Sequence, residues 1–247
     1  MPFAFCLLLL AGCAPPALLR QGWTPDQDPA LILDHARRDL EALGDLKGAA
    51  ELTLVQSGQR QHASAALLFK PPGLFRVEAR GPLFVHLFTA LLRGNSLIAR
   101  TGDAPWRGGP FADELITQLL GLDLSGYDLR HALLGLVAPG TLDSLVQTGP
   151  GRCLAYVRGT PPRRLHLDTR QGLIAAEELL GAQGETLLIR GLQEYQRVGR
   201  FHLPRRVEIR QGDRALLLEY RSWAPDTGLD EAAFTRGIPL DRLEPLE

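Results

Sequence analysis

The residues Leu10-Ala11-Gly12-Cys13 have the types and spacing for one reaction: cleavage of the chain ahead of a cysteine, then acylation of its thiol. The apolar run before them is too short to cross a bilayer, and small residues immediately precede the cysteine, as in a bacterial lipobox. Residues 1–12 then read as a lipoprotein signal peptide and Cys13 as the lipidated first residue of the mature chain. The pattern departs from the usual one in that no Lys or Arg precedes Arg20; a start further upstream would supply one. Ala14, not Asp, follows Cys13, which favours the outer membrane, with the protein lipid-anchored and facing the periplasm.

No other arrangement of reactive residues forms a recognisable site. His35, His62, His86, His131, His166 and His202 are scattered singly, without partners at metal-ligand spacing. Cys153 has no nucleophile elbow or nearby base, and phosphate-binding and dinucleotide fingerprints are missing. Glu177 and Glu178 fall on opposite faces of a strand, the wrong geometry for shared acid and base work. Gly149-Pro150-Gly151 and Arg107-Gly108-Gly109-Pro110 read as turns. The pairs Arg163-Arg164 and Arg205-Arg206, and Arg197 with Arg200, read as edge-strand charges or as contacts for anionic head groups. The expectation is a non-enzymatic protein with no cofactor and no metal.

Composition narrows the partners. Against 28 acidic residues stand 27 Lys and Arg, for a net charge of −1, so nothing advertises nucleic acid. After cleavage Cys153 has no partner for a disulfide within the chain, so the fold must stand on its hydrophobic core. The 247 residues suffice for one domain with a substantial core.

Residues 13–28 lack apolar periodicity and read as a tether. Leu31, Leu33, Ala36, Leu40 and Leu43 then fall at helical spacing. From Ala49 the period changes to two. Strands with tight turns are predicted around Leu52 and Leu54, over 63–70, around Phe75 to Ala79, and over 87–92 and 96–101. Two short helices over 111–120 and 127–137 interrupt this meander. Further strands follow over 152–158, 164–168, 173–179, 185–192, 205–210 and 215–223. The class is mainly β with helices (α+β), built on an antiparallel sheet. Ala65 to Phe69 and Leu216 to Leu218 are apolar on both faces, so a cover is needed, which the three helices could provide. The space beneath could be packed solid or hold an apolar guest.

Three stretches resemble, in order and spacing, the outer-membrane lipoprotein receptor LolB family. They are Leu74-Phe75-Arg76-Val77-Glu78 with Gly81-Pro82-Leu83-Phe84; Glu114 to Gly121 leading to Arg130-His131-Ala132-Leu133-Leu134-Gly135-Leu136; and Pro204 to Ile209 through Leu216-Leu217-Leu218 to Trp223. The resemblance implies an unclosed antiparallel β-barrel with a helical lid over an apolar cavity, spanning 29–223 and followed by a C-terminal extension over 224–247. It implies a monomer that takes the acyl chains of lipoproteins from a periplasmic LolA-like carrier and delivers them to outer-membrane lipid. Leu83, with Phe84 beside it, would form the membrane-inserting loop. Candidate walls of the acyl-chain cavity are Leu54, Leu67, Phe69, Phe75, Val77, Leu115, Leu119, Leu133 and Leu136. The tail after Trp223 departs from the family and could cover the barrel mouth or change the partner.

Overall fold

A computed structural model describes residues 27–110, 122, 124, 129–137 and 140–245. Cys13, Leu115 and Leu119, and the predicted helix over 111–120, lie outside these residues. Helix α1 (Pro29–Ala42) opens the described chain. Asp28 caps it by accepting the Ala30 N–H at 2.9 Å, and Pro29 occupies the first turn, where its missing N–H costs nothing. Its apolar stripe buries Ile32 and rests Leu33 and Ala36 on the core.

The meander follows as β1 (Leu46–Gln56), β2 (Gln59–Lys70), β3 (Leu74–Arg80), β4 (His86–Arg93), β5 (Ser96–Thr101) and β6 (Arg107–Pro110). After helix α2 (Leu129–Leu134) come β7 (Thr141–Gly149), β8 (Arg152–Arg158), β9 (Arg163–Asp168), β10 (Leu173–Leu180), β11 (Thr186–Val198), β12 (Phe201–Gln211) and β13 (Arg214–Pro225). Helix α3 (Glu231–Thr235) and the short β14 (Glu244–Pro245) close the described chain. The strands form one sheet in the order β14-β6-β5-β4-β3-β2-β1-β13-β12-β11-β10-β9-β8-β7. All pairings are antiparallel except that of β14 with β6. The outermost strands β14 and β7 do not pair with each other, so the sheet is unclosed among the described residues.

One face carries the main core, in which Leu46, Leu52, Leu67, Phe75, Val207 and Leu218 pack with α1 and α2. The other face carries a second, smaller core. Leu91, Ile98 and Trp106 pack there with Leu229, Phe234 and Ile238 from the C-terminal segment. This resolves the two-faced strands: Leu67 and Phe69 enter the main core, while Leu68 between them packs under the C-terminal residues. The predicted cover of three helices is thus, in this region, a cover by the chain's own tail.

Polar anchors fix that tail. The Asp45 carboxylate accepts the backbone N–H groups of Thr227, Gly228 and Leu229 and the Thr227 hydroxyl, at 2.7–2.9 Å. Burial alone would raise the Asp45 pKa, but these donors hold it below the usual carboxylate range. Arg76 donates to the carbonyls of Phe234 and Arg236, and Lys70 to that of Leu229.

Several expectations need correction. Arg107 to Pro110 is not a turn but strand β6, paired with β5 and β14; Gly108 lets Leu243 approach so closely that a Cβ would lie 2.8 Å from Leu243 Cδ1. Strand β7 was not anticipated, because its residues are exposed or nearly so on both faces and show no alternation. Within 127–137 the described helix, Leu129–Leu134, stops short of Val137 and ends at Gly135, whose φ of +68° suits a helix C-terminus; a Cβ there would collide with Pro204 and Val207. Arg163 is not a surface charge: it is buried and ion-paired with Glu177 at 2.9 Å.

Candidate functional site

Two features stand out from a well-packed scaffold. The first is the β3–β4 loop. Gly81 N–H bonds to the Val85 carbonyl at 2.8 Å and Val85 N–H to the Pro82 carbonyl at 3.3 Å, closing a tight arch over Pro82–Phe84. Leu83 and Phe84 sit at its top with φ of +57° and +61°. Two consecutive left-handed residues that are not glycine cost roughly 1 kcal/mol each. The strain is spent on presenting apolar side chains to solvent, for Leu83 is 94% and Phe84 82% exposed. Val85 and Leu87 extend the patch. The core placement open to these side chains from sequence is not the one adopted.

The second feature is a cleft of about 550 Å³ between α1, the turn after α2, and the β11–β12 hairpin. Ile32, Leu40, Leu136, Ile174, Phe201 and Leu203 give it a mainly apolar wall. A polar group stands among them: His35 and Asp39 from α1 with His202 from β12. Burial pushes the Asp39 carboxyl up, against the pull of His202, His35, Arg200 and Arg38. No cluster of three or more metal-ligating side chains occurs among the described residues. Burial also raises the Cys153 thiol pKa, which disfavours the nucleophilic thiolate.

Of the sequence-predicted cavity walls, Leu136 lines this cleft. Leu67, Phe69, Phe75, Val77 and Leu133 are buried in the main core, and Leu54 is half-buried against it. The cleft residues contributed by α1 and β12 were missed. The one available signal was the apolar stripe of α1, which is broader than the single buried Ile32 needs.

Beneath the cleft lies an ionic knot that sequence reasoning also missed. Glu177 is fully buried between Arg163 and Arg190, and Arg190 is itself fully buried, 2.5 Å from the carboxylate. Arg190 also donates to the carbonyls of His131, Ala132 and Leu136, satisfying carbonyls near the end of α2. The knot therefore fixes the turn that carries Leu136 into the cleft.

No protein-family model matches this sequence, and no curated protein matches it. Solved structures do resemble its fold. A DUF1329 family protein from Desulfovibrio piger superposes with a TM-score of 0.62 at 11% identity, over 84% of this chain and 98% of its own. A LolA superfamily protein from Nitrosomonas europaea gives 0.61 at 11% identity, over 85% of this chain and 98% of its own. A Vibrio parahaemolyticus domain named as an outer membrane lipoprotein-sorting protein gives 0.60 at 13% identity, over 84% and 97%. The architecture is therefore the LolA/LolB-type fold. At these identities the likeness is one of fold.

Proposed function

We propose that this chain is a membrane-anchored, non-enzymatic protein that binds the acyl chains of lipoproteins and hands them to the outer membrane, in the manner of LolB. The observation that carries the reading is the strained β3–β4 arch with Leu83 and Phe84 exposed at its tip, a conformation that costs stability and buries nothing within the chain. An exposed apolar patch of this kind suits partial insertion into a bilayer. The cleft beside α1 supports the other half of the reading. Each methylene removed from water is worth about 0.8 kcal/mol, so a lipid tail in transit needs such a shelter. The lipobox at Cys13 supports anchoring at the outer membrane, with a LolA-like carrier as donor.

A transfer assay tests this: radiolabelled lipoprotein on its periplasmic carrier is mixed with the protein and with outer-membrane vesicles. Leu83→Glu should abolish delivery to the vesicles while leaving thermal stability within about 0.5 kcal/mol. Leu83→Gly should raise stability by up to about 1 kcal/mol, through relief of the left-handed strain, yet still impair delivery. Full delivery by both variants would end the proposal. A second reading, a scaffold lipoprotein of the envelope, is favoured by the burial of Leu67, Phe69 and Phe75 within the main core. Unchanged lipoprotein sorting in cells depleted of the protein would select it.

A further inference from the structure

The sheet splits beside the cleft. Strands β10 and β11 pair only from Ala176 opposite Gly191 to Leu180 opposite Thr186. Beyond that ladder Leu173 and Ile174 stay paired with β9, Ala175 being the extra residue of a bulge, whereas Leu192 to Val198 run on as a hairpin paired with β12. At Glu194, with φ of +54°, the pairing of β11 with β12 is interrupted without a change of register. The Tyr195 hydroxyl donates across the gap to the Ile174 carbonyl at 2.9 Å. A second cleft, also of about 550 Å³, opens next to the gap and shares Leu173, Tyr195 and His202 with the first. Six of its ten lining residues are polar, and they carry both signs: Asp168, Arg170, Gln171, Gln193, Glu194 and His202.

We infer that the split is a side port through which a single-chain amphiphile lies across the sheet, its tail in the cleft beside α1 and its zwitterionic head group in the polar cleft. The inference rests on the acyl-binding reading and narrows it to a ligand class. An acyl chain of about 16 carbons fills ~480 Å³ if each methylene takes roughly the ~30 Å³ share of a water molecule, so the apolar cleft has room for one tail. Polarity sets the orientation: charged side chains make up a larger share of the second cleft's lining than of the first's, and Arg170 with Asp168 and Glu194 can meet a head group bearing both charges. The Tyr195 bridge itself is a weak gate. A neutral hydrogen bond of this kind contributes only about 1 kcal/mol net.

The test uses the full chain carrying Cys13→Ala, so that no acyl group of its own is attached, with a fluorescent lysophosphatidylethanolamine as probe. One equivalent should bind. Ala175→Trp fills the exposed side of the port without touching the apolar cleft, and should weaken binding by about tenfold or more. Tyr195→Phe should speed release about fivefold, the loss of a bond worth ~1 kcal/mol, while keeping the stoichiometry. Circular dichroism and thermal unfolding establish that both variants are folded. Probe binding unchanged by either substitution overturns the port and leaves the acyl-binding reading standing, whereas no binding by the parent protein removes both. Equally tight uptake of a two-tailed phospholipid overturns the single-tail assignment, and equally tight uptake of a plain fatty acid overturns the head-group site.

Discussion

Glu177 and Glu178 are consecutive in sequence and live in different worlds. Glu177 points into the core, where it pairs with both Arg163 and Arg190. Removing its charge takes an anionic partner from two buried guanidiniums. Glu177→Gln should therefore destabilise the fold by about 3–5 kcal/mol in urea titration; a loss below about 1 kcal/mol would mean the arginines find other partners. Glu178 points the other way. Burial would raise its pKa, but hydrogen bonds from Arg164, Thr186 and His166 outweigh burial and hold it at about 2, against an ordinary value of 4.5. A depressed folded pKa stabilises the fold above the unfolded value. Its contribution, on the order of 3 kcal/mol, should be intact above pH 4.5 and lost as pH falls from 4.5 towards 2. Urea midpoints at pH 6 and pH 3 measure it, and Glu178→Gln should flatten that difference. That the two carboxylates take opposite faces was legible from the two-residue period of a strand. That Glu177 faces an ionic knot was not: Arg163 read as an edge-strand charge, Arg190 drew no reading, and only the register of three strands brings them to one carboxylate.

Among the described α-helices, α3 is the shortest and among the most consequential elements. Phe234 is fully buried against Leu91, Ile98 and Trp106, the outward side chains of the early strands. Phe234→Ala should cost about 3–5 kcal/mol, since the tail clasped by Asp45 cannot easily collapse into the void. A chevron or equilibrium unfolding curve checks this, and increased binding of a hydrophobic dye would report the bared strand face. Most hairpins of the meander, α1, and the turns at 57–58 and 71–73 were legible because glycine, proline and alternating side chains mark them. Strands β6 and β7 were not. Gly108 and Gly109 imitate a turn, and β7 is an edge whose two faces both meet water, so no face-by-face contrast is written into its residues. The tail's destination was hidden for a related reason. Leu229, Phe234 and Ile238 are too sparse to announce a core alone, and they complete one only against a sheet face formed more than a hundred residues earlier.

At the scale of the whole molecule, the class and the antiparallel meander could be read from sequence, and the LolA/LolB-type fold bears that reading out. The site was legible in part. Leu83 and Phe84 were named, and they stand exposed on the expected loop. The cleft, in contrast, lies where α1 meets β10–β12, not beneath β2 and β3. Its position depends on where a helix and a diverging hairpin fail to fill space, which no residue pattern encodes.

The sheet order has one sequence discontinuity between its long strands, the seam where β13 meets β1 along ten aligned pairs from Leu46–Pro225 to Val55–Ala215. On either side of it the strands simply follow one another. The polypeptide is thus two ribbons, β1 to β6 and β7 to β13, zipped lengthwise, with the C-terminal segment of the second laid across the back of the first. Expressed as separate fragments cut between β6 and β7, the halves should find each other and restore the parent circular dichroism spectrum on mixing; disrupting the seam with Leu52→Asp should prevent it. Such a molecule is a ready-made complementation pair, whose halves would tie together two proteins fused to them.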